Sequence, residues 1–178
     1  MALLKKFVIS LAILVVAFYA VGLALPSKFH VERSIVINAS QEEIYTHIVD
    51  LKRWQAWGVW FKRDPNMQLS YSGPDRAVGM KSEWKSETEG NGAMTITALE
   101  HQKRVTYTLM FPEMEMGSTG ELVLEPINGS TKVTWMDYGD VGSNIMYKYF
   151  GLFMDDLIGP DFEDGLANLK TVAENSSS

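Results

Sequence analysis

Few residues in this 178-residue chain are of types that could do chemistry, and the most suggestive is a carboxylate on an apolar strand face. In the run Thr131 to Tyr138, TKVTWMDY, alternation puts Val133, Trp135 and Asp137 on one side, and valine and tryptophan are residues that look inward. Asp137 stands near the end of that strand, where a chain leaves its core, which predicts exposure. Turned into an apolar cavity instead, it would have a raised pKa and could orient a ligand or act as an acid or base. Tyr107, inside the strand-like run VTYTLMF, is the other candidate for proton transfer. The three histidines do not converge: His30 falls in a linker, His47 on a helix and His101 in a turn, and each is expected at the surface. No histidine pair is spaced four apart with a glutamate, and no nucleophile-elbow pattern occurs, so neither a metal nor a catalytic triad is expected. Cysteine is absent, which removes disulfides, thiolate metal sites and cysteine nucleophiles. Met114-Glu115-Met116 invites a copper reading, but methionine also lines irregular apolar cavities, and that is the expectation here.

A second constellation suits binding rather than catalysis. DLKRWQAWGVWF, residues 50–61, spaces Trp54, Trp57 and Trp60 three apart, so the three rings fall along one side of a helical turn and need something apolar to face. That could be a core, a membrane or a ligand, and the spacing leaves all three open. As a wedge they would pack the turn onto a core; as a gate at a ligand's entrance, the preferred reading, they would use the looseness that Gly58 gives the segment.

The elements that must position these residues read as follows. VERSIVIN, 31–38, alternates as a strand; Ser40-Gln-Glu-Glu43 matches a capping box and opens a helix over about 41–49 with Ile44, Ile48 and Leu51 inward. Strands follow at about 67–71, 78–85, 94–98, 105–111, 120–125 and 131–138, the last two joined through Asn128-Gly129, a dipeptide suited to tight hairpins. In the second of them Val78, Met80, Ser82 and Trp84 share one face. From about 144 to 173 the period becomes helical, with Met146, Phe150, Phe153, Met154 and Leu157 in one apolar stripe and Phe162, Leu166, Leu169 and Val172 continuing it. Gly159-Pro160 predicts a kink or break, because proline removes a helix hydrogen bond. Asp155, Asp156, Asp161, Glu163 and Asp164 are expected on the wet outer face. Consecutive strands and one long helix predict an α+β fold, an antiparallel sheet curved around the helix.

Composition bounds the partners. The net charge of −6 and the lack of basic runs argue against nucleic acid. Behind Lys5 and Lys6, residues 7–25 carry no charge; as a helix they would span about 28 Å, enough to cross a bilayer. Residues 1–25 are therefore expected to be a single-pass membrane anchor. The two lysines place the N-terminus in the cytoplasm and the domain on the periplasmic or extracellular side. The alternative is a signal segment, with the domain secreted if it is cleaved. A linker at 26–30, a domain at 31–174 and a polar tail at 175–178 complete the organisation. Nothing in the sequence sets the oligomeric state.

Taken in order, VERSIVINASQEEIYTHIVDLKRWQAW, GSTKVTWMDYGD and DDLIGPDFEDGLANLKTVAE make the chain resemble the START and polyketide-cyclase-like (SRPBCC) superfamily, in its polyketide cyclase/dehydrase and lipid-transport group. The resemblance spans about 29–174. It implies the helix-grip fold and an apolar cavity between sheet and C-terminal helix. The lining expected for a hydrophobic small molecule or lipid is Trp54, Trp57, Trp84, Ile96, Tyr107, Leu109, Phe111, Leu122, Trp135, Phe150, Phe153 and Met154. Binding without catalysis is the expected function. A cyclase or dehydratase using Asp137 or Tyr107, and a membrane-tethered interaction module whose core is filled by its own side chains, are the alternatives.

Overall fold

The structure, a computed structural model, describes residues 1–114 and 116–176, the Met114 side chain excepted. Glu115, Ser177 and Ser178 lie outside the described residues, and with them the Met114-Glu115-Met116 reading and the end of the polar tail. A first helix, α1 (Ala2–Ala24), leads directly into strand β1 (Lys28–Ile37). The expected linker is thus shorter than 26–30. Helix α2 (Gln41–Ile48) begins at Ser40, whose side chain accepts from the Glu43 N–H, and buries Ile44 and Ile48. A 3₁₀ turn (Leu51–Ala56) and helix α3 (Val59–Arg63) follow, and then six strands: β2 (Gln68–Ser72), β3 (Lys81–Lys85), β4 (Gly92–Glu100), β5 (Arg104–Phe111), β6 (Met116–Ile127) and β7 (Ser130–Asp140). Val78 stays outside β3, in the preceding turn, and is 53% exposed.

All seven strands form one antiparallel sheet in the order β1-β7-β6-β5-β4-β3-β2, so the first strand closes back against the last. The β6–β7 hairpin turns at Asn128 and Gly129, both at positive φ, as a tight hairpin requires. On the inner face, three aromatic rings each lie over the glycine directly across from them: Trp84 over Gly92, Tyr107 over Gly120 and Phe29 over Gly139. A methyl group on Gly120 would come within 2.1 Å of the Tyr107 ring, so only glycine lets that ring lie flat on the sheet. Flat rings line the concave face without filling the space above it.

That space is covered by helix α5 (Met154–Ser176), which buries Phe162, Leu166, Leu169 and Ala173. The single long helix expected over 144–173 is in fact two. Helix α4 (Ile145–Gly151), capped by Asn144, ends at Leu152, and the break falls there rather than at Gly159-Pro160. Pro160 lies within α5, and Arg33 on β1 pairs with the helix on both sides of it, with Asp155 at 2.8 Å and Glu163 at 2.6 Å. Gly159 makes room for that pairing, since a methyl group there would meet the guanidinium at 2.0 Å.

Candidate binding cavity

Between the concave face and α5 lies a cavity of about 240 Å³. Its wall is mostly apolar: Phe29, Trp84, Tyr107, Leu109 and Phe111 from the sheet, Leu51, Trp54, Trp60 and Phe61 from the helical segment after α2, and Ile158 and Phe162 from α5. Met67, Met94, Met116 and Met154 add four flexible thioether side chains, which can adapt to an irregular occupant. The polar exceptions are few: Ser82, Ser118, Asp137, Glu89 and Asp161.

Six of the twelve residues expected to line the cavity do so: Trp54, Trp84, Tyr107, Leu109, Phe111 and Met154. Trp57, Ile96, Leu122 and Trp135 are buried but packed behind the lining. Phe150 and Phe153 are outside altogether, 43% and 57% exposed, because the helix break at Leu152 turns α4 away from the sheet. The contributions of Phe29, Phe61, Met67 and Asp161 were not anticipated, whereas Met116 lines the cavity as its type suggested. Phe29 was assigned to the linker, and Asp161 to the wet face.

The tryptophan stripe faces a fourth tryptophan. Rings of Trp54, Trp57 and Trp60 contact Trp135 edge-on, at centroid distances of 5.8, 5.2 and 5.9 Å. Trp135 stacks flat on Phe162 of α5 at 4.1 Å and donates its Nε1–H to the Tyr107 hydroxyl at 2.7 Å. Trp54 and Trp57 donate to the carbonyls of Ile48 and His47 at 3.0 and 3.4 Å, which ties the turn to the end of α2. Trp57, fully buried and without a cavity face, has the geometry of a wedge; Trp54 serves both core and wall. His47, expected at the surface, is buried at 7% exposure, and burial followed by the nearby Arg53 charge lowers its pKa.

One edge of the cavity belongs to α3, which supplies Trp60 and Phe61 to its wall and is bonded to α5. Asp161 accepts from Trp60 Nε1 at 3.1 Å and pairs with both terminal nitrogens of Arg63, while Arg63 also reaches Glu89 at 2.9 Å. Lys62 bonds Asn168 at 3.0 Å farther along. Asp161 is therefore part of the closure, not of a solvated face. Arg63 is nearly half exposed, so removing it should change stability by no more than about 1 kcal/mol. Arg63→Ala is expected to speed release of a bound molecule roughly tenfold with the unfolding midpoint little changed, as read by stopped-flow release beside urea unfolding. Unaltered release would show that α3 does not gate the cavity.

Asp137 is the chemical centre. It is 3% exposed, contrary to the expectation of an exposed strand end, because β7 runs on to Asp140 and its last residues pair with the start of β1. Burial pushes its carboxyl up to about 7, against the opposing effect of a hydrogen bond donated by Ser118 Oγ at 3.0 Å. Among the described residues it makes no ion pair. Near neutral pH the group is therefore divided between a carboxylic acid, which can donate a hydrogen bond into the cavity, and a carboxylate, which can only accept. Burial, and then the Asp137 charge, raise the Tyr107 hydroxyl well above its ordinary pKa, so it stays neutral. Among the described residues no cluster of three histidine, cysteine or acidic side chains could hold a metal ion.

A curved seven-stranded sheet closed by a C-terminal helix over an apolar cavity defines a helix-grip protein. The chain belongs to the polyketide cyclase/dehydrase and lipid-transport family, whose model matches residues 28–174, the whole domain after α1. No curated protein matches it in sequence. Similar solved structures include a protein from Thermobifida fusca (16% identity, TM-score 0.64, covering 82% of this chain and 93% of that one). Another is a protein of unknown function from Staphylococcus aureus (16% identity, TM-score 0.65, 85% and 97% covered). The di-domain ARO/CYC protein StfQ of the steffimycin biosynthetic pathway is similar at 13% identity and TM-score 0.64, with 86% of this chain and 52% of StfQ covered. At these identities the likeness concerns the fold.

Proposed function

We propose that this chain is a membrane-anchored binding protein for a hydrophobic small molecule or lipid. The observation that carries the reading is a cavity walled by aromatic rings and methionines in which one buried, near-neutral carboxyl, Asp137, supplies the directional contact. Such a site suits a ligand with an apolar body and one polar end. The alternative of a core filled by its own side chains fits poorly with about 240 Å³ of space. Helix α1 is long and apolar enough to span a bilayer, and only Gly22 within it is buried against the rest of the protein. Lys5 and Lys6 favour a cytoplasmic N-terminus with the domain on the outer side.

Native mass spectrometry of the full chain released from lipid nanodiscs tests the binding reading. The wild type should retain an apolar molecule, and Leu109→Trp, which fills the cavity from its wall, should not. Equal masses of adduct on both proteins, or none on the wild type, would contradict it. A second reading, a cyclase or dehydratase, is favoured by one observation: Asp137 has the pKa of a working acid–base at neutral pH and faces the cavity.

A further inference from the structure

Five large apolar side chains are exposed together at the α4–α5 corner: Met146 (63%), Phe150 (43%), Leu152 (48%), Phe153 (57%) and Leu157 (53%). A soluble surface rarely leaves so many large apolar groups together without a partner. Their partner is indicated by what α4 touches. Its other side packs on the last turns of α1: Tyr149 stacks on Phe18 at 4.4 Å and donates to the Phe18 carbonyl at 2.8 Å, Ile145 sits against Gly22, and Lys148 Nζ reaches the Leu23 carbonyl at 3.3 Å. From Phe18 to the end of α1 is about 10 Å of helix, so a helix fastened there lies at the depth of the headgroup and outer acyl region.

We propose that α4 and the α4–α5 corner are embedded in the membrane leaflet from which α1 emerges, with Phe150, Phe153 and Leu157 inserted among the acyl chains. The proposal rests on the reading of α1 as a membrane span. Composition agrees with an interfacial position: Tyr149 is an aromatic with a polar tip, and Lys148 carries a cation suited to the headgroup level. The arrangement has a consequence for the cavity. Met154 and Ile158 line it, while their immediate neighbours Phe153 and Leu157 are the inserted residues, so the α5 wall of the cavity stands one residue from the lipid. A lipid-like occupant would then exchange with the bilayer rather than through water.

Because the chain has no cysteine, single cysteines can carry nitroxide labels without background. Full-length variants Leu11→Cys, Phe150→Cys, Phe153→Cys and Ile127→Cys would be reconstituted in vesicles of phosphatidylcholine and phosphatidylglycerol. Collision of each label with oxygen and with a water-soluble nickel complex is then compared by electron paramagnetic resonance. Labels at positions 150 and 153 should be shielded from nickel and accessible to oxygen, by several-fold relative to the label at 127, which sits beside the distant β6–β7 turn. A label at 11 in the acyl phase with those at 150 and 153 as aqueous as the one at 127 would overturn the docking and leave the anchor standing. An aqueous label at 11 would overturn the anchor, and the docking with it.

Discussion

Trp135→Ala is expected to destabilise the domain by roughly 3–5 kcal/mol, near the upper end for any single substitution in this chain. Its ring is where sheet, helix and tryptophan turn meet. It stacks on Phe162, takes the edges of Trp54, Trp57 and Trp60, and bonds Tyr107. A methyl group on Gly165 would touch it at 2.8 Å, so α5 is shaped to this ring and collapse after truncation would be incomplete. Trp135→Phe keeps an aromatic ring on Phe162 but loses the rest of the indole with its Nε1–H, so it should cost less than the alanine variant, on the order of 1–3 kcal/mol. Urea unfolding of the full chain in nanodiscs checks both. A loss below about 1 kcal/mol for the alanine variant would show that the tryptophan turn holds to the sheet by other contacts.

The second large effect concerns Asp137 and has a definite sign. Its folded-state pKa, about 7, lies above the ordinary value of 3.8, so folding favours the protonated form. Below about pH 4 both states hold the proton and the group costs nothing. As pH rises from about 4 to about 7 the unfolded chain releases the proton while the folded one keeps it, and stability falls. Above about 7 the penalty is complete, on the order of 4 kcal/mol. Asp137→Asn should be more stable than the wild type near pH 8 and should flatten the fall between about pH 4 and 7. His47 acts in the opposite sense, its lowered pKa removing stability as pH drops below about 6.5, so the difference between wild type and variant isolates Asp137. If the two proteins show the same pH dependence, the carboxyl is not held protonated. The same proton should govern ligand choice. An acceptor-only ligand such as a medium-chain methyl ketone needs a donor, so its affinity for the wild type should fall as pH passes about 7, while Asp137→Asn, with its permanent amide donor, should show no such change.

Much of the fold was legible because it is written in local patterns. The Ser40 cap and the Asn128-Gly129 turn each specify their own surroundings and are found where expected, and strand alternation marks each strand while failing at the start of β3, where Val78 lies in the turn. The site was half legible, and the failures share a cause. Spacing put Trp54, Trp57 and Trp60 on one side of a turn but could not say that Trp135 is what they meet. Alternation turned Asp137 inward, yet the strand seemed to end there. Only the pairing of Lys28 to Asp140 shows that β7 continues and the carboxyl is enclosed. Phe150 and Phe153 carry a helical apolar period that fits a core or a membrane equally, and the helix end at Leu152 leaves them outside the core. The acidic residues of α5 were placed on the wet face because the apolar stripe lies between them, and Asp155 and Glu163 are exposed there although they pair with Arg33; Asp161 is the exception, drawn in by Arg63 and Trp60.

The central claim is that an apolar molecule occupies the space between sheet and α5, and the methionines report on it directly. Met67, Met94, Met116 and Met154 line the cavity, whereas Met110 and Met146 are exposed outside it. With methionine methyl groups labelled by ¹³C in the full chain in nanodiscs, titration with a medium-chain methyl ketone should move the four cavity signals together and saturably. Those of Met110 and Met146 should follow only the slight drift expected from ketone dissolved in the bilayer. Shifts confined to Met110 and Met146, or cavity signals that never move, would mean that the cavity does not take up the molecule.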